Sequence, residues 1–71
     1  MSVESIFLDR SLNELKGLAF IHGFDFSSSE SCTFSYKGIC LGLMNNGRLD
    51  FFIWDANREY VEMFKRIMRS Y

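Results

Sequence analysis

The sequence predicts a small α+β domain: a three-stranded antiparallel meander with two helices, in the order α-β-β-β-α, both helices mainly on one sheet face. Three observations carry this expectation. From Thr33 to Trp54 the chain runs in short apolar stretches interrupted by Lys37-Gly38 and Asn46-Gly47. Asn-Gly between apolar runs is among the strongest short-range hairpin signals, because both turn positions need a positive φ. Ser11 and Glu14 form a capping box ahead of one apolar stripe, and Asp55 precedes a second.

The first helix starts at Ser11, whose hydroxyl can accept from a free backbone N–H in the first turn. Leu8, Leu12, Leu15, Ala19 and His22 recur at helical spacing, with Leu18 beside them, and Gly23 supplies the stop. Val3 to Leu8 reads either as an extension of this helix or as an added edge strand. The extension is preferred, because Leu8 continues the stripe of Leu12, Leu15 and Ala19. Asp25 to Ser31 reads as a polar loop, with Phe24 and Phe26 tucked against the core.

Strands are expected at about Cys32–Tyr36, Ile39–Met44 and Leu49–Trp54. With the two dipeptides at the turns, Cys32, Phe34, Tyr36, Ile39, Leu41, Leu43, Phe52 and Trp54 fall on one face. The opposite face receives Thr33, Ser35, Cys40, Gly42, Met44, Leu49, Phe51 and Ile53. A slip of one residue would exchange the two sets. The last helix is expected from about Ala56 to Ser70, capped by Asp55. Its stripe is Tyr60, Val61, Phe64, Ile67, Met68 and Tyr71, with Arg58, Glu62, Lys65, Arg66 and Arg69 in water.

At 71 residues the chain is read as one domain, 1–71. A chain of this length buries only roughly 60% of its unfolded surface, so its core is marginal without help. Yet 48% of its residues are hydrophobic and 17% aromatic, including eight Phe. That excess favours self-association or a protein partner, and a homodimer is expected. The net charge of −1 supplies no basic footprint, so nucleic acid is not an expected partner.

Cys32 and Cys40 fall on opposite faces and read as free thiols. With His22 the sole histidine, no metal site or cofactor is expected. The N-terminus lacks a basic region followed by a long apolar run, and no stretch reaches bilayer-spanning length. The expected location is cytoplasmic, in the host cytoplasm for a phage-encoded chain.

Both helices are expected over Phe34, Leu41, Phe52 and Trp54. That leaves Met44, Leu49, Phe51 and Ile53 as the candidate partner-binding patch on the back of the sheet. Arg58, Lys65, Arg66 and Arg69 form a basic ridge that could touch phosphates, although Glu59 and Glu62 interrupt it and a solvated helix face is the better reading. His22 has no nucleophile or carboxylate at useful spacing and suits the end of the first helix. Asp50 points onto the Phe52 face near its end, where it could pair with Arg48 or Lys37 at the rim or bind a partner; a charge that guards the sheet edge is the better reading. No phosphate loop, nucleophile elbow, metal signature or dinucleotide fingerprint is present, so no enzyme activity is expected.

The expected function is a small intracellular protein-binding module that occupies a target's surface. Compact, aromatic-rich chains without catalytic motifs resemble in style the inhibitors and modulators carried by phages and mobile elements. The order α-β-β-β-α also resembles the double-stranded-RNA-binding domain. In that family a lysine cluster opens the last helix and grips phosphates; here the matching stretch, Asp55-Ala56-Asn57-Arg58-Glu59, has one cation and two carboxylates. A third reading is an accessory subunit of an enzyme complex.

Overall fold

The computed structural model describes residues 2–70. Strand β1 (Ser2–Phe7) leads into helix α1 (Leu12–Ile21). Strands β2 (Asp25–Ser27), β3 (Cys32–Tyr36), β4 (Ile39–Asn45) and β5 (Arg48–Ile53) follow, then helix α2 (Arg58–Ser70). They form one five-stranded sheet in the order β1-β5-β4-β3-β2, every neighbouring pair antiparallel. The α+β class is as expected, but the three-stranded meander is not exact: its strands are the β3, β4 and β5 of a five-stranded sheet. Two strands were missed: β1 and β2 flank the meander at opposite edges.

Val3 to Leu8 therefore does not extend the first helix. Residues 2–7 pair with β5 from Ser2↔Ile53 to Phe7↔Arg48. Alternation explains the choice. Ile6 is buried while Val3 and Phe7 are exposed, a period of two that a helix cannot produce. The polar loop is likewise shorter than expected, because Asp25–Ser27 pairs with Thr33–Ser35.

The local signals at α1 hold. The Glu14 N–H donates to Ser11 Oγ at 3.2 Å, and the Ser11 hydroxyl reaches the Glu14 carboxylate at 3.4 Å. At the other end Gly23 takes φ +83°, the Phe24 N–H donates to the Ala19 oxygen and the Gly23 N–H to the Phe20 oxygen. This pair of bonds satisfies two orphan carbonyls and turns Phe24 inward, where it is 3% exposed. Both strand turns have two positive φ values in succession, at Lys37-Gly38 and Asn46-Gly47.

The decisive departure lies in β4. Tyr36 faces Ile39 and Ser35 faces Cys40, as two-residue turn geometry requires, but Phe34 faces Gly42. Leu41 is an extra residue, a β-bulge, and is fully buried. Beyond it every β4 side chain is inverted relative to β3. Phe34 thus shares its face with Gly42 and, across the next ladder, with Phe51. Leu49, Phe51 and Ile53 line the covered face and are buried, and Met44 packs partly buried against them. Phe52 and Leu43 take the opposite face. The two faces of β5 are the reverse of those expected.

Both helices close over the Phe34–Phe51 face. Leu15 and Ala19 from α1 join Val61, Phe64 and Met68 from α2 in one core. The Phe64 ring is its hub, edge-on to Phe24 at 5.0 Å and to Phe51 at 5.8 Å, and tilted on Phe34 at 5.1 Å. The α2 stripe is as expected, save that Tyr71 lies outside the described residues.

Asn57, not Asp55, directly precedes α2, and its backbone oxygen accepts the Val61 N–H. Its fully buried side chain donates to the Cys40 and Phe52 oxygens at 2.9 and 2.6 Å and accepts from the Trp54 N–H at 3.0 Å. This amide ties the end of β5, the start of β4 and the entry to α2 together. Asn57→Ala strands those three backbone groups. We expect a loss of about 2–3 kcal/mol in urea unfolding, against only a few tenths for Asn45→Ala at the exposed end of β4.

Candidate functional site

With both helices on one side, no described element packs on the other. The pairing registers place Val3, Ser5 and Phe7 of β1 on this open face. Arg48, Asp50 and Phe52 of β5, Cys40 and Leu43 of β4, and Thr33 and Ser35 of β3 lie there too. Val3 is 58% and Phe7 80% exposed, while Phe52 and Leu43 are half-buried by their neighbours. An apolar strip thus crosses the sheet beside β1, the kind of surface that marks an interaction site when left uncovered.

A polar cluster sits within that strip, its Arg48 Nε close to a carboxylate oxygen but without a hydrogen bond of good geometry. The Ser5 hydroxyl donates to Asp50 Oδ1 at 2.6 Å, and Arg48 brings Nε to 2.9 Å of Oδ1 and Nη2 to 3.2 Å of Oδ2. The Asp50 side chain is only 13% exposed. The Ser5 hydrogen bond holds the carboxyl below its ordinary range; partial burial works against this, and the bond and charge of Arg48 add to the lowering. A carboxylate with a depressed folded-state pKa stabilises above its unfolded pKa and loses that contribution as pH falls through the folded value. Wild type should therefore exceed Ser5→Ala in stability at pH 7. The gap should shrink below about pH 4, followed by chemical denaturation across pH.

The expected partner-binding residues do not form a surface. Leu49, Phe51 and Ile53 are core, and Met44 is half-buried at its rim, because the Leu41 bulge carries their face under the helices. Nor is the basic ridge continuous. Lys65 is 7% exposed, its ammonium 2.7 Å from Glu4 and 3.0 Å from Glu62. Burial alone would favour the neutral amine; the bonds to Glu4 and Glu62 outweigh it and hold the pKa above the ordinary lysine value. Arg58, Arg66 and Arg69 remain exposed and without ion pairs among the described residues.

His22 forms the C-cap of α1, its N–H bonded to the Leu18 oxygen. Cys32 and Cys40 are free and half-buried, Cys32 on the covered face and Cys40 on the open one. Among the described residues no three His, Cys, Asp or Glu side chains converge as metal ligands, and no helix is long and apolar enough to cross a membrane. The order on which the double-stranded-RNA-binding resemblance rested is not the one observed, since a strand precedes α1 and four follow it.

Sequence reasoning missed Val3, Phe7, Leu43 and Phe52 as surface. Val3, Ile6 and Phe7 stand at the spacing of a helix face in the sequence, and only the pairing with β5 sets Val3 and Phe7 outward. For Leu43 and Phe52 the bulge had to be known. No family model, no curated protein and no solved structure matches the chain.

Proposed function

We propose that the protein is a binding domain that acts by laying its open sheet face on another protein, as a steric inhibitor or modulator. The observation that supports this is the division of β5. Phe51 is spent wholly on the core, whereas its neighbour Phe52 joins Leu43 and Val3 on a face with no helix over it. Small antiparallel sheets commonly keep one face polar, and this one carries an aromatic and aliphatic strip there instead. The Asp50 carboxylate is already bonded by Ser5 and paired with Arg48, so a partner can cover it without stranding a lone buried carboxylate.

The test is co-purification from the native cell with wild type, with Phe52→Ser plus Leu43→Ser, and with Arg66→Ser on the helix side as control. Circular dichroism should show all three folded. A partner retained by wild type and the control, and lost by the double variant, is the expected result. Equal retention by all three would exclude the sheet face as the binding surface.

A further inference from the structure

We infer that a second copy of this chain docks on the open edge of β1, continuing the sheet across a two-fold axis at Ser5. The surface is the strand's edge, and it shares only Val3 with the strip of Phe52 and Leu43 proposed above, so the inference does not rest on that binding role.

The ladder phase fixes what that edge offers. The Leu8 N–H donates to the Gly47 oxygen at 3.4 Å, one step beyond the Phe7↔Arg48 pair. Bonded and non-bonded positions alternate along an antiparallel pair. Leu8, Ile6 and Glu4 therefore turn their backbone groups toward β5, and Val3, Ser5 and Phe7 turn theirs outward. The edge has none of the devices that blunt such strands: no proline, no bulge, no lysine. Its one inward charge, Glu4, is engaged by Lys65.

A copy pairing here with its helices on the same side must place the axis on a residue. At Ser5, Val3 lies opposite the partner's Phe7, Ser5 opposite its equivalent, and all three outward residues of each strand form ladder bonds. The exposed Val3 and Phe7 side chains, 58% and 80% in the single chain, cover one another. An axis at Glu4 would set two carboxylates face to face. An axis at Ile6 would leave Val3 without a strand partner.

Helix α2 flanks the same strand. The helix runs alongside β1: Arg58 shares a cleft with Ser2, Lys65 binds Glu4, and Arg69 shares a cleft with Phe7. Ser5 thus lies between the levels of Lys65 and Arg69, and Arg66, exposed and without an ion pair among the described residues, sits on the helix over this stretch of β1. One strand and a helix flank bury less than the roughly 800 Å² per partner of a standard interface, so the dimer should dissociate on dilution.

The experiment is light-scattering mass over a dilution series. Compared are wild type, Val3→Lys with Phe7→Lys, and Val3→Lys with Phe7→Glu, each checked for fold by circular dichroism. Wild type should rise from the 8.3 kDa of the single chain toward twice that mass with concentration. The double-lysine variant sets like charges opposite each other and should stay at single-chain mass. The lysine–glutamate variant sets opposite charges at the same positions and should recover the doubled mass. A wild type that stays single at every concentration, a double-lysine variant that still doubles, or a lysine–glutamate variant that does not recover would each overturn the inference.

Discussion

Gly42→Val is expected to abolish folding. Gly42 lies between Phe34 and Phe51, immediately after the Leu41 bulge. A Cβ there would intrude deeply on the backbone oxygen of Asp50 and come within 3.0 Å of Phe51 Cα. Those atoms belong to the backbone of β5, held between β1 and β4, and cannot swing away as a side-chain tip could. To admit even a methyl group, β5 must separate from β4, which breaks ladder bonds and lifts Phe51 out of the core. Overpacking alone costs about 1–3 kcal/mol, and lost pairing adds to it. A chain of this length has roughly 4–10 kcal/mol in total. We expect Gly42→Ala to unfold at markedly lower urea and Gly42→Val to give a spectrum without native near-ultraviolet dichroism. A Gly42→Val protein with wild-type unfolding would mean that β4 and β5 do not approach as described.

Phe51→Ala should be the most damaging truncation in the core, at about 3–5 kcal/mol. The ring is fully buried and meets Phe64 edge-on, and Phe64 in turn holds Phe24 and Phe34. Removing it opens a cavity under both helices rather than at a rim that could collapse. Phe52→Ala, one residue along the same strand, should cost about 1 kcal/mol, because its ring is only partly covered and leaves no cavity inside the core. Equilibrium denaturation of the pair measures the contrast, and equal losses would mean that β5 has no inside and outside.

Much of this architecture was legible without coordinates, for physical reasons specific to each element. Lys37-Gly38 and Asn46-Gly47 located both turns to the residue, because only a few residue types tolerate the required φ. Ser11, Glu14 and Gly23 bounded α1 through hydrogen bonds that are local in sequence. The stripe of α2 was equally local. What escaped depended on contacts distant in sequence. Val3 to Phe7 becomes a strand only because β5 offers it an edge more than forty residues away. Lys65 looked like a surface cation until Glu4 arrived beside it on that same strand.

The bulge at Leu41 mattered most. Nothing in Ile39-Cys40-Leu41-Gly42 announces an extra residue, apart from a glycine that also suits close strand packing. Each hairpin was paired correctly beside its own turn. The bulge between them inverted β5 relative to the near end of β3, and with it the choice between Phe51 and Phe52. The candidate surface moved from Met44, Leu49, Phe51 and Ile53 to Val3, Leu43 and Phe52 for that one reason.

The division of the sheet into a covered and an open face underlies every functional statement made of this protein. Methyl-resolved NMR of the wild type, with a soluble paramagnetic agent added, tests it most directly. Leu43 and Leu49 sit on adjacent strands and carry the same side chain, so their methyl groups differ only in which face they occupy. Leu43 and Val3 methyls should broaden strongly, while those of Leu49 and Ile53 stay sharp. Broadening of Leu49 with protection of Leu43 would place the helices on the other face and contradict the account.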